Sequence, residues 1–205
     1  FHAATTLDPT DPVPWNGLGN LLAEQPERTD EAEAAYRKAI EIDPAEAAPW
    51  NGLGNLLADQ PERADEAEAA YRKAIEIDPM HAAPWNNLGL LLAEPPEHAD
   101  EAQAAYRRAI ELDSTYANPR NNLGNLLAKQ PERADEAEAA YRKAIELDST
   151  YAAPWYNLGL LLSQQPERTD EAEAAYRKAI ELDPEDGLAH GNLGRLLLDR
   201  GDLEA

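Results

Sequence analysis

The 205-residue sequence repeats itself with a period of 35 residues. One register of the repeat is occupied by Trp15, Trp50, Trp85, Arg120, Trp155 and His190. Tyrosine and proline recur with the same step. A fixed period of roughly 20 to 50 residues is typical of an array of stacked units, each too small to bury a core alone. The sequence therefore predicts five complete repeats, at 10–44, 45–79, 80–114, 115–149 and 150–184, flanked by residues 1–9 and 185–205.

Each repeat begins with the pattern of a helix. In the second repeat, Trp50, Leu53 and Leu57 lie on one helical stripe. Pro61 ends this helix, because proline disfavours helical backbone in the residue before it. The pattern predicts a first helix over about residues 47–59.

A second helix follows in each repeat. In the second repeat it is predicted to begin near Asp65, where Asp65 and Glu68 are spaced as in a capping box. Alanines and Tyr71 supply its apolar stripe, and Asp78-Pro79 ends it. No run of alternating β-branched residues indicates a strand, so the predicted fold is all-α.

The recurring pattern resembles the tetratricopeptide repeat. Its carriers in the second repeat, with equivalents every 35 residues, are Trp50, Leu53, Gly54, Leu57, Ala67, Tyr71, Ala74 and Pro79. The family repeat has about 34 residues, and the extra residue falls in the turn at 60–64. The resemblance implies a right-handed superhelical α-solenoid of stacked antiparallel helix pairs. In that fold, residues 1–9 end a preceding repeat and 185–205 supply the first helix of a sixth.

Composition excludes several kinds of chemistry. The chain has no cysteine, which excludes disulfides, thiolate metal sites and a cysteine nucleophile. Its formal net charge of -22 repels nucleic-acid phosphates. No stretch approaches the roughly 18 apolar residues of a membrane span. The histidines are far apart and no serine lies in a nucleophile motif, so we expect no enzyme, no metal ion and no cofactor.

The resemblance also predicts a binding surface. In the tetratricopeptide fold the first helix of each repeat lines a concave groove, and the groove positions lie one, two, five, eight and nine residues after the tryptophan register. The second of these positions holds asparagine in four consecutive repeats. This series resembles the asparagine ladder in the tetratricopeptide region of O-linked N-acetylglucosamine transferases, which grips peptide backbone. A carboxamide suits that role because it both donates and accepts. The alternative is that Asn-Leu-Gly is simply a common sequence in the family.

Two further groove positions vary between repeats. Leu90 and Leu160 stand where other repeats have asparagine, either as apolar anchor sites or as residues packed on a neighbouring helix. Glu24, Asp59 and Glu94 share one position, which Lys129 occupies in the fourth repeat. The groove is thus predicted to be acidic toward its N-terminal end and to favour basic segments there. The residues predicted to contact a polypeptide are Asn51, Asn86, Asn87, Asn121, Asn122, Asn125, Asn157, Asn192, Leu90, Leu160 and Lys129.

These observations predict a protein–protein interaction scaffold that binds an extended polypeptide in its groove. Two alternatives stay open: a repeat element that self-assembles end to end, and the substrate-recruiting region of a larger enzyme. Residues 1–9 align with the second half of a second helix, so we expect an excerpt of a longer protein. No signal-peptide pattern is visible, and the expected compartment is the cytoplasm.

Overall fold

A computed structural model describes residues 10–94 and 96–201, and this part of the chain is helical without strands. It divides into an N-terminal unit that ends at Leu112 and a C-terminal unit that begins at Asp113. The prediction of an all-α fold built from helix pairs is confirmed. Residues 1–9, expected to end a preceding repeat, lie outside the described residues, as do 202–205 of the predicted 185–205 segment.

The N-terminal unit contains three helix pairs, one for each of the first three repeats. Its helices are α1 (Pro12–Ala23), α2 (Thr29–Ile42), α3 (Ala47–Ala58), α4 (Ala64–Ile77), α5 (Ala82–Leu92) and α6 (Ala99–Leu112). Each first helix packs mainly on the second helix of its own repeat, and each second helix packs on the first helix of the next repeat in the unit. The pairs are therefore stacked in chain order.

The C-terminal unit contains two helix pairs and one further helix. These are α7 (Ala117–Ala128), α8 (Ala134–Leu147), α9 (Ala152–Leu162), α10 (Thr169–Leu182) and α11 (Gly187–Arg200). The packing order is the same as in the N-terminal unit. The helix boundaries predicted in the second repeat agree with α3 and α4 within about one residue.

The turn between the two helices of a repeat is a short 3-10 helix. In the second repeat it spans Pro61–Arg63 and continues directly into α4. The cap position of α4 is Arg63, without a side-chain cap hydrogen bond. The predicted capping box at Asp65 and Glu68 is therefore wrong, because the 3-10 turn moves the helix start forward. Asp65 lies in the first turn instead, where its carboxylate interacts favourably with the positive end of the helix dipole.

Contacts between glycine and tyrosine hold each helix pair together. A Cβ atom placed on Gly54 would lie 2.6 Å from the Tyr71 ring, so only a residue without a side chain lets the ring sit against α3. Tyr71 is 3% exposed, and its hydroxyl donates to Asn55 Oδ1 at 3.0 Å. The same glycine–tyrosine contact recurs in all five repeats. Close packing of this kind makes the core sensitive to small changes in volume.

The tryptophans have a different place from the tyrosines. Trp50 is only half-buried, and its indole N–H donates to Pro44 O at 3.2 Å. Trp85 makes the same bond to Pro79 O. Trp50 and Trp85 thus fix the turns that precede their helices, while the tyrosines fill the centre of each helix pair.

Ion pairs join second helices of neighbouring repeats. In the N-terminal unit, the Arg63 guanidinium donates to both carboxylate oxygens of Glu33, at 2.7 and 2.8 Å. In the C-terminal unit, Arg168 contacts Glu138 in the same way, at 2.6 and 2.8 Å. These hydrogen bonds lower the pKa values of Glu33 and Glu138. Since both arginines lie in the 3-10 turn, the segment that carries the extra residue also ties repeats together.

Candidate polypeptide-binding faces

First helices of each unit expose a row of side chains that differ from repeat to repeat. We call the surface of α1, α3 and α5 the N-terminal face. It is defined by the exposed residues Asn20, Asn55, Leu90, Glu24, Asp59 and Glu94. We call the surface of α7, α9 and α11 the C-terminal face. It is defined by Asn125, Leu160, Arg195, Lys129, Gln164 and Asp199, of which Leu160 is half-buried and the others are exposed.

Asparagines of the N-terminal face bond to one another across repeats. Asn87 on α5 donates to Asn55 Oδ1 at 2.9 Å and to Asn51 Oδ1 at 3.2 Å, both on α3. Asn86 donates in turn to Asn87 Oδ1 at 3.1 Å. A primary amide has two N–H donors, so Asn87 spends both on the neighbouring repeat. The network therefore contributes to the stacking of the second and third repeats.

A related network lies in the C-terminal unit. Asn157 on α9 donates to Asn121 Oδ1 on α7 at 2.9 Å. Asn121 donates to Asn122 Oδ1 at 3.5 Å. On the next repeat, Asn192 donates to the Tyr156 hydroxyl at 3.0 Å. The bonds of Asn157 and Asn192 each cross to a residue 36 positions earlier, in the preceding repeat, while the bond from Asn121 to Asn122 joins neighbours in sequence. The asparagine series therefore forms a ladder of hydrogen bonds within the protein itself.

Burial separates the predicted site residues into three groups. Asn86 and Asn121 are only 4% and 3% exposed, so their side chains are closed to a ligand in this structure. They occupy the position directly after the tryptophan register, which turns toward the neighbouring first helix. Leu90, by contrast, is 54% exposed. The half-buried residues are Asn51, Asn87, Asn122, Asn157, Asn192 and Leu160, and the exposed ones are Leu90, Asn125 and Lys129.

Two pockets indent the C-terminal face. The pocket between α7 and α9, of about 220 Å³, brings together four predicted residues: Asn125, Lys129, Asn157 and Leu160. The pocket between α9 and α11, of about 420 Å³, is lined by Leu160, Asn192, Arg195 and Asp199, among others. Leu160 and Gln164 line both pockets and separate them.

Arg195 and Gln164 also line these pockets, although they are not among the residues predicted to contact a polypeptide. They occupy the same 35-residue registers as Leu160 and Lys129. Their positions in these registers could have identified them as candidate contact residues from the sequence. Arg195 Nη2 donates to Asn192 Oδ1 at 3.2 Å, which holds the guanidinium over the larger pocket.

The two faces carry opposite charge. The N-terminal face has three carboxylates, from Glu24, Asp59 and Glu94. The C-terminal face has two cations and one carboxylate, from Lys129, Arg195 and Asp199. The six residues of the C-terminal face therefore carry a small excess of positive charge, although the whole chain has a net charge of -22.

Across 10–94 and 96–201, no group of three or more histidine, aspartate or glutamate side chains is placed to hold a metal ion. Over that same part of the chain, none of the helices is long and apolar enough to cross a membrane.

Models of the tetratricopeptide repeat match most of the sequence, over residues 14–81, 99–130 and 132–205. The chain belongs to the tetratricopeptide repeat family. No protein with curated annotation gives a significant sequence match. Together with the fold, family membership makes the chain a protein-interaction scaffold.

Solved structures of tetratricopeptide proteins resemble the chain along nearly its whole length. YrrB, described as a TPR protein with an unusual peptide-binding site, is 27% identical, with a TM-score of 0.63 over 98% of this chain and 97% of that one. PilF of Pseudomonas aeruginosa is 24% identical, with a TM-score of 0.81 over 93% and 85% of the two chains. A thermophilic TPR protein of Thermus thermophilus, TTC0263, is 22% identical, with a TM-score of 0.72 over 91% and 99%.

Proposed function

We propose that this tetratricopeptide scaffold binds extended polypeptide segments on its first-helix faces, and that it acts by binding without catalysis. The observation that carries the proposal is the pocket between α7 and α9. Four residues selected from the repeat register as peptide contacts line this one pocket, where apolar and amide groups stand together. Pockets with an apolar lining and a few polar groups are the usual form of a recognition site.

The amide ladder suits an extended polypeptide. Asn157 uses one N–H on Asn121, and its amide retains capacity for further hydrogen bonds. Asn125 accepts from the Tyr141 hydroxyl through Oδ1 at 2.9 Å, so its N–H₂ group is available to a ligand carbonyl. Peptide groups present both donors and acceptors, which amides match without reading side chains.

The charge of the N-terminal face indicates which polypeptide segments it would bind. The three carboxylates of the N-terminal face favour segments rich in lysine or arginine. A structural relative described as having a peptide-binding site is consistent with a polypeptide ligand. We therefore propose that basic, extended segments bind the N-terminal face.

A peptide array probed with the whole chain tests the proposal at low and at physiological salt. We expect a set of basic, extended peptides that bind more weakly as salt increases. The matched variant carries Glu24→Gln, Asp59→Asn and Glu94→Gln, all at exposed positions, and should lose these peptides while keeping its helicity. Unchanged capture by the variant would contradict the proposed charge selection. An array without hits, together with concentration-dependent association in the ultracentrifuge, would favour a self-assembling element instead.

A further inference from the structure

The C-terminal face presents two pockets at adjacent first helices, and their spacing constrains what can occupy both. α7 and α9 are direct neighbours, as the bond from Asn157 to Asn121 shows, and the bond from Asn192 to Tyr156 joins α9 to α11. Packed helices lie about 8–10 Å apart. Leu160 and Gln164 line both pockets, so the pockets lie on either side of α9, and we expect two ligand side chains that fill them to stand about one helix step apart and to point the same way.

Backbone geometry decides which ligand conformation can do this. In a polyproline II helix, residues three apart lie on the same face at about 9 Å, because the helix has three residues per turn and rises about 3.1 Å per residue. In a β-strand, residues two apart share a face but are only about 7 Å apart, and residues three apart point to opposite faces. Polyproline II is therefore the simple conformation that matches one helix step.

Chemistry of the pocket walls specifies the ligand side chains. Leu160 and Leu161 line the smaller pocket, and Leu160 and Leu196 line the larger one. Both pockets thus offer an apolar wall to an aliphatic side chain, which gains free energy in proportion to the apolar area removed from water. Arg195 and the carboxylate Asp199 both line the larger pocket, and Lys129 lines the smaller one, so the two pockets together hold one excess positive charge that favours a carboxylate on the ligand.

We propose that the C-terminal face binds a polyproline II segment with two aliphatic side chains three residues apart and acidic residues beside them. This inference rests on the proposed function and names the ligand class for one of its two faces. It also makes the C-terminal face complementary to a different kind of segment from the N-terminal face, because their charges are opposite. Leu160 then acts as the ridge that both aliphatic side chains contact.

The test uses the whole chain and a fluorescein-labelled peptide, Glu-Glu-Pro-Leu-Pro-Pro-Leu-Pro-Glu-Glu, measured by fluorescence anisotropy. The acidic pairs flank both ends so that either chain direction can bring one to Arg195. Three control peptides replace both leucines by serine, replace every glutamate by lysine, or place the leucines two residues apart. We expect each control to bind at least about fivefold more weakly than the parent peptide.

Matched variants come from the repeat itself. Leu160→Asn installs the residue that Asn125 supplies in the same register, and it should weaken the parent peptide at least about fivefold. Arg195→Asn should weaken it about threefold at low salt and less at high salt. Met80→Asn changes an exposed apolar residue outside both faces in the same way and should leave binding of this peptide unchanged.

Three results would overturn the inference: equal binding of the serine control, no effect of Leu160→Asn, or an equal loss from Met80→Asn. If array peptides still bind the chain in that case, the proposed function stands and only the ligand class is wrong. If neither the array peptides nor the parent peptide bind, the proposed function itself fails.

Discussion

The N-terminal and C-terminal units share their packing and differ in their first-helix faces. In both units a tyrosine ring fills the space left by a glycine, and in both an arginine from the 3-10 turn joins two second helices. The N-terminal face has three carboxylates, whereas the C-terminal face has two cations, one carboxylate and two pockets. The difference teaches that the repeated residues build the scaffold, while the residues that vary at a fixed register distinguish its two first-helix faces.

Removing the tyrosine should have the largest effect, and it should be similar in both units. Tyr71→Ala and Tyr141→Ala each remove a ring that is 2–3% exposed. We expect each to lower the free energy of unfolding by about 3–5 kcal/mol, measured by chemical denaturation and circular dichroism. Tyr→Phe at either position removes only the hydroxyl bond to asparagine and should cost about 1 kcal/mol. A large effect in one unit alone would mean that the two cores are not equivalent.

Adding one methyl group should distinguish glycines within a single helix. A Cβ on Gly19 would lie 2.6 Å from the Tyr36 ring, whereas nothing lies within 4 Å of one on Gly17. Gly19→Ala should therefore cost about 1–3 kcal/mol through overpacking. Gly17→Ala should gain up to about 1 kcal/mol from helix propensity.

The same pair of outcomes is expected in the C-terminal unit for Gly124→Ala and Gly191→Ala. Thermal melts of the four variants give the signs directly. Equal destabilisation by Gly17→Ala and Gly19→Ala would contradict the role assigned to the ring contact.

Acid should weaken the ion pairs between repeats in both units. Hydrogen bonds from Arg63 and Arg168 lower the pKa values of Glu33 and Glu138 below the ordinary 4.5, and Arg168 holds the pKa of Glu171 at about 2. A pKa lowered by folding gives stability that is present above the ordinary value and lost as the pH falls through the folded one. As the pH first falls toward about 4.5, protonation of carboxylates reduces the repulsion that comes with the net charge of -22, and this should stabilise the chain. Between about pH 4.5 and 2 the ion pairs are lost, and we expect the melting temperature to fall.

Glutamine variants isolate this contribution, because Gln103 occupies the register of Glu33 and Glu138 in the third repeat. Glu33→Gln and Glu138→Gln should each lower the melting temperature at pH 7 by about 2 °C. The double variant should show a shallower decline in acid. An unchanged acid profile would show that other carboxylates control the transition.

The smallest effect on stability is expected where we propose the largest effect on binding. Leu160→Asn should change the melting temperature by less than about 2 °C, because an asparagine there can accept from Tyr176 as Asn125 accepts from Tyr141. In the native chain the Tyr176 hydroxyl donates to Ser163 Oγ at 3.4 Å. Strong destabilisation would favour the other interpretation of Leu160, as a residue that packs on a neighbouring helix.

Much of the fold follows from the sequence, because a strict period carries every helix boundary from one repeat to the next. The rows proposed to bind a polypeptide could also be located from the sequence, since Leu160 and Lys129 depart from their registers and lie together in one pocket. The burial of Asn86 and Asn121 could not be predicted from the sequence. A helical register gives the direction in which a side chain points, but it does not show which neighbouring element covers that side chain. The bond from Arg63 to Glu33 spans 30 residues and depends on how repeats stack.

Photo-cross-linking with two peptides tests the central claim that the two faces select different segments. One peptide is lysine-rich and extended, and the other is the acidic peptide with leucines three residues apart, each with a photoreactive group at its centre. First helices differ enough in sequence for mass spectrometry to assign the cross-links. We predict that the basic peptide labels α1, α3 and α5 and that the acidic peptide labels α7, α9 and α11. Labelling of the same helices by both peptides would contradict the account.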